Sequence, residues 1–163
     1  MFERFGDLPL HVLVIHVTVL VLPVGALTAI VFALVPKWRW LLRWPTALLG
    51  VGSLVLAYVA KESGKAFVKA KPALQQLIGE HEKRGNLLFW YALVFAVITI
   101  LAAIALTGPS ALASGRGART GGRRPVEIVV SAGLVVISAL LVWQTVRTGD
   151  AGAKAVWNGT FTG

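Results

Sequence analysis

The chain has 163 residues, 56% of them hydrophobic and only 14% charged, where a soluble domain carries about a quarter charged residues; an ordinary water-soluble globule is excluded. It has no cysteine, which excludes disulfides and thiolate metal sites. Its net charge of +9 sits in segments flanking apolar runs, as anchors at an anionic lipid surface do, rather than on the basic face of a soluble nucleic-acid-binding module.

The first apolar run, Leu8–Val35, follows "MFERFGD", which has one Arg against two acids. It is much longer than the roughly 7–15 residues of a signal-peptide core, so a retained membrane helix is expected. Pro23 should kink it near its middle, because proline lacks the N–H that a helix interior needs. His11 and His16 stand in its first half. The turn "PKWRWLLRWP" then combines Lys37, Arg39 and Arg43 with Trp38, Trp40 and Trp44, the mixture that marks a water interface.

The second run, Pro45–Ala60, falls short of the about 20 residues that span a bilayer unless Lys61 and Glu62 lie at the boundary. Its Ala47, Gly50, Ser53 and Ala57 share one helical face, where a neighbouring helix can approach closely. Residues 63–85 read as a charged, partly helical interfacial loop. The third helix is expected over about 86–106, with Trp90 and Tyr91 at its interface. The next segment, "TGPSALASGRGARTGGRRP", lacks the Gly-Lys-Ser/Thr of a phosphate loop and follows a helix rather than a strand. It reads as a flexible basic loop over 107–125. The fourth helix is expected over about 126–147. The expected fold is therefore all-α: one integral membrane four-helix bundle, with helices near 8–35, 45–62, 86–106 and 126–147.

Four spans return both termini to one side, the terminal side, together with the 61–84 segment. That side carries nine of the sixteen Lys and Arg, and the opposite side packs seven into two shorter loops. Raw counts favour a cytoplasmic terminal side, while density in short loops favours the reverse; weighting density, the termini are expected outside, in a bacterial inner membrane.

Bilayer thickness also serves as a ruler. From Val35, about twenty residues of hydrocarbon run back to His16, and His11 lies about 7 Å further out at 1.5 Å per residue. Helix 3, entered near Asn86, leaves His81 outside the hydrocarbon and level with His11. The same measure from Pro45 and Val126 brings Glu62 and Asp150 into that layer. An internal echo accompanies this convergence. "ESGKAFV" closes helix 2 and "DAGAKAVW" closes helix 4, while histidines open helices 1 and 3 in "LPLH" and "LIGEH". Two tandem helical hairpins related by an axis along the membrane normal would set His11 opposite His81.

"GDLPLHVLVIHVTVLVLPVGALTA", "ESGKAFV", "GEHEKRGN" and "RTGDAGAKAVW" resemble actinobacterial members of a bacterial membrane family catalogued as domain of unknown function twenty-two thirty-one. The resemblance covers nearly the whole chain and implies a four-helix membrane protein without an assigned activity. Some members look akin to b-type cytochrome membrane domains or occur with Rieske domains. Members often carry proline where this chain has Val12, and some carry histidine in place of Asp150, which argues against an obligatory ligand role for Asp150.

The expected function is that of a small integral membrane protein, a structural or accessory subunit whose interfacial histidines are solvated or hydrogen-bonded. The alternative is a redox or metal site. His11 or His16 with His81 could supply both axial ligands of a b-type haem, or His11, His81, Glu62 and Asp150 could hold zinc. An enzyme with a nucleophile is not expected, because Ser53, Ser131 and Ser138 lie within apolar helices where small hydroxyls serve packing. Nothing ionisable lies at the midplane, so an ion pathway would lack its middle. The expected partners are the bilayer and, for a haem protein, a membrane redox partner or a second copy of the chain.

Overall fold

The computed structural model describes residues 4–5, 8–70, 78–106 and 125–157. The basic loop expected over 107–125 lies almost wholly outside the described residues. A two-residue antiparallel pairing, Arg4–Phe5 (β1) with Leu8–Pro9 (β2), precedes the first helix. Helices α1 (Leu10–Leu34), α2 (Arg39–Ala70), α3 (Gly79–Ala105) and α4 (Pro125–Trp157) follow, with a 3-10 turn, Pro36–Trp38, between the first two. Each helix packs on its neighbour in sequence, and α4 closes the ring against α1. All four are long and apolar enough to cross a membrane.

The bundle is apolar inside and out, but sorted by size. Alanines 26, 29, 33, 92 and 102 are buried around Leu22, Phe32, Phe95, Leu134 and Leu141, while Leu20, Leu27, Leu48, Val129 and Val146 point outward, each more than half exposed. An apolar belt of this extent suits lipid, not water. With lipid outside, close approach of helix backbones over small residues replaces the hydrophobic drive that sorts a soluble core.

The α1–α2 reversal is dictated by Val35-Pro36. The residue before proline is pushed out of the helical region, and Val35 adopts φ −113° and ψ 84°. Helix α2 does not begin at Pro45 as expected but at Arg39, with Pro45 inside it. The carbonyl one turn earlier that Pro45 leaves free lies at the headgroup level, where water can satisfy it. At the terminal side, α2 continues to Ala70, α3 starts at Gly79 and α4 runs to Trp157, so much of the expected interfacial loop is helix. Its Ala and Lys residues are strong helix formers, and packing continues there, with Ser63 fully buried and His11 stacked on Phe67 at 6.3 Å.

The small-residue face of α2 is Thr46, Gly50, Ser53 and Ala57; Ala47 is only partly buried, a one-residue correction to the expected stripe. A β-carbon at Gly50 would stand 3.0 Å from Thr99 Cβ and collide with its hydroxyl. Gly50→Val should therefore destabilise the α2–α3 seam by about 1–3 kcal/mol through overpacking. Unfolding in detergent followed by circular dichroism measures this, and an unchanged midpoint would place the seam elsewhere.

Arg39 departs furthest from expectation. Rather than anchoring in the headgroups, it is 2% exposed. Its guanidinium donates to the Phe32 carbonyl at 3.3 Å, the Ala33 carbonyl at 3.1 Å, Ser131 Oγ at 3.4 Å and Glu127 Oε2 at 3.3 Å. It thus caps the last carbonyls of α1, which have no partner within the helix, and ties them to the first turns of α4.

Burial exposes the repeat that the sequence hints at. The seven buried positions of α1, Thr18 through Ala33, recur in α3 as Leu88 through Ala103 with a constant displacement of 70 residues. Thr46, Gly50, Ser53 and Ala57 of α2 recur as Leu134, Ser138, Leu141 and Thr145 of α4, displaced by 88. The molecule is two tandem hairpins in matching register, the second with a connection 18 residues longer.

Candidate functional site

The register brings the first turns of α1 and α3 together at the terminal face. His11 and His81, equivalent under the 70-residue displacement, stand with ring centroids 6.4 Å apart and planes crossed at 74°. Both side chains are half-buried.

The hydrogen bonds fix the tautomer of each ring. His81 Nδ1 lies 3.0 Å from the Thr148 carbonyl oxygen, which can only accept, so Nδ1 carries the proton. His11 Nδ1 lies 3.1 Å from Ser63 Oγ, and Ser63 gives its own proton to the Ala60 carbonyl at 3.1 Å. Ser63 therefore accepts from the His11 ring. Ala60, whose carbonyl accepts from Ser63, is the α2 counterpart of Thr148. In both rings Nε2 keeps a free lone pair, the state required of an imidazole ligand, with the opposite nitrogen oriented by the protein.

Glycine makes room for each ring. A β-carbon at Gly64 would lie 3.1 Å from His11 Cε1, and one at Gly152 would lie 3.0 Å from His81 Cε1. These are the glycines of the "ESG" and "DAG" echo, so the repeated motif is the floor on which the histidines rest. Behind His81, Gln144 Nε2 donates to the Arg84 carbonyl at 3.1 Å. Thr148 Oγ1 gives its one proton to the Gln144 carbonyl at 2.8 Å and lies 3.3 Å from the Arg84 carbonyl oxygen. This network fastens α3 to α4 where Thr148 orients His81.

The pair borders a cavity of about 510 Å³ whose apolar wall includes Ile15, Ala57 and Leu88. That volume falls within the roughly 300–1,000 Å³ of small-molecule and cofactor pockets. Lys61, Lys65 and Lys69 stand along its α2 side and Glu82 on its α3 side.

The remaining candidates do not join the pair. His16 is exposed and its Nδ1 lies 2.6 Å from the Val12 carbonyl of its own helix, so helical phase turns it outward. Glu62 pairs with Lys65 and Asp150 with Lys154, each at 2.8 Å. Equal depth brought these acids to the right layer, but they point around the bundle and are neutralised along their own helices. Among the described residues no group of three or more His, Cys, Asp or Glu is placed to hold a metal ion, and Glu62 and Asp150, the expected carboxylate ligands, sit with lysines of their own helices. Ser63, Thr148, Gln144 and the two glycines were not foreseen as site residues; the acid-small-Gly echo was the only signal for them.

No family model, curated protein or solved structure matches the chain.

Proposed function

We propose that this small four-span membrane protein binds a b-type haem between His11 and His81 and serves as a one-electron centre at its terminal face. The observation that carries the proposal is the histidine pair, ring centres 6.4 Å apart with each Nδ1–H held by the protein, beside a cavity of about 510 Å³. A first-row metal between two imidazoles stands about 2 Å from each nitrogen, which sets the ring centres roughly 6 Å apart; here they are 6.4 Å apart. Crossed ring planes are compatible with this, since only the two lone pairs need face the metal. Haem asks the protein for just two axial ligands, whereas a closed zinc site asks for four. The glycines beneath the rings let the imidazoles sit deep enough to leave the cavity open. When bound, haem supplies reversible one-electron transfer, and the fitting partner is an electron carrier in the same membrane. Membership of the family that the motifs resemble belongs to the same proposal, because "LPLH", "ESGKAFV" and "GDAGAKAVW" surround the pair.

Protein purified in detergent after expression with haem precursor should show a sharp Soret band and, on dithionite reduction, resolved α and β bands of a low-spin bis-histidine centre. A colourless protein that gains no such spectrum on adding ferric haem would leave the second reading, an accessory subunit without a cofactor. That reading is favoured by one observation: Ser63 and the Thr148 carbonyl already satisfy the ring N–H groups without any ligand.

We further propose that the terminal face lies outside the cytoplasm of a bacterial cell. Ser114→Cys in this cysteine-free chain should react with a membrane-impermeant maleimide in inverted vesicles and not in intact spheroplasts; the opposite labelling would reverse the orientation.

A further inference from the structure

The cavity beside the histidine pair carries its lysines on one side only. Lys61, Lys65 and Lys69 line it from α2, four residues apart and so on one helical face, rising about 6 Å per step. Because His11 rests on Gly64, Lys65 is level with the pair, Lys61 a turn deeper and Lys69 a turn closer to water. Lys61 Nζ sits 4.8 Å from the Phe89 ring centre, and Lys65 Nζ is 2.8 Å from Glu62 Oε1. Of the titratable groups on the other elements, α1 contributes His11, α3 contributes His81 and Glu82, and α4, with Thr145, Thr148 and Gly149, contributes none. Under the 88-residue displacement the three lysines correspond to Gly149, Ala153 and Trp157. The fold is two-fold; the charge is not.

We propose that Lys61, Lys65 and Lys69 receive the two carboxylate arms of a haem held by His11 and His81, fixing it in one orientation toward α2. This rests on haem as the occupant. A planar macrocycle with an apolar body and two anionic arms matches a cavity with an apolar wall and one cationic edge. The corresponding α4 positions, Gly149, Ala153 and Trp157, carry no charge, so the lysines favour the orientation with both arms toward α2. Lys65 exchanges or shares its Glu62 partner, and Lys69, nearest to water, meets the outer arm.

The experiment titrates the full-length protein in a neutral detergent with ferric haem and, separately, with its dimethyl ester, whose arms carry no charge. The wild type should bind the free acid about tenfold more tightly than the ester, the gain expected of two partly exposed ion pairs. The variant Lys61→Gln/Lys65→Gln/Lys69→Gln should bind both with the ester's affinity and keep the low-spin spectrum. Equal affinities in the wild type, or a variant that retains the preference for the free acid, would overturn the lysine role while leaving the histidine site standing. Absence of a low-spin band with either probe in the wild type would overturn both.

Discussion

Arg39→Ala is expected to destabilise the bundle by about 3–5 kcal/mol, the range for removing one partner of a buried ion pair. The cause is less the lost attraction than what remains behind. Glu127 keeps its charge in a site where its carboxylate is only 23% exposed, and the Phe32 and Ala33 carbonyls at the end of α1 lose their donor. Burying an unpartnered acceptor costs about 1–3 kcal/mol, more if it is charged. Arg39→Lys should recover only part of the loss, because one ammonium cannot reach carbonyls and carboxylate at once as a planar fork can. Glu127→Ala in the Arg39→Ala background should cost little further, since the orphaned charge is then gone. Reversible unfolding in mixed micelles, read by circular dichroism, gives all four corners of the cycle. A loss below about 1 kcal/mol for Arg39→Ala, the worth of a surface pair, would mean that Arg39 is solvated in the membrane after all.

His81→Ala and His11→Ala should each abolish the low-spin haem spectrum, whereas His16→Ala should leave it intact. Axial ligation needs both rings, so loss of either should weaken ferric haem binding by more than the about 10–100-fold typical of losing an outer-shell partner. His81 has the larger share of support, through Thr148, Gln144 and the Arg84 carbonyl. Gly152→Leu supplies an independent check, because its side chain would occupy the space against His81 Cε1 without removing a ligand. It should lower haem affinity with His81 still present. A full low-spin spectrum in His81→Ala would show that the wrong residues have been assigned.

The four spans were legible because bilayer thickness demands long apolar runs, and those survive any detail of packing. The layer shared by His11 and His81 was legible for the same reason: depth follows from counting residues along a helix. Azimuth is what counting alone did not resolve. His11, His16, Glu62 and Asp150 were all within reach by depth, and helical phase separated them, sending His16 to the lipid side and both acids to lysines of their own helices. Arg39 was misjudged on composition, since among Trp38, Trp40 and Arg43 it looks like one more interfacial anchor. Only the meeting of α2 with α4 across the bundle reveals Glu127 as its partner. Helices α2 and α4 run past their expected ends near 62 and 147 to Ala70 and Trp157, because the apolar runs mark only the hydrocarbon span while lysine and alanine content carries the helix beyond it.

Arg39 and Glu127 are themselves counterparts under the 88-residue displacement, as His11 and His81 are under 70. Two like hairpins could in principle dimerise around such an axis, a leading half with a leading half. In that assembly the imidazoles would still meet at one end, but at the other a guanidinium would confront a guanidinium in a site with almost no water. Two trailing halves would set carboxylate against carboxylate. Opposite signs at one axial position thus make each hairpin unable to accept its own kind, so a leading half is complemented only by a trailing half.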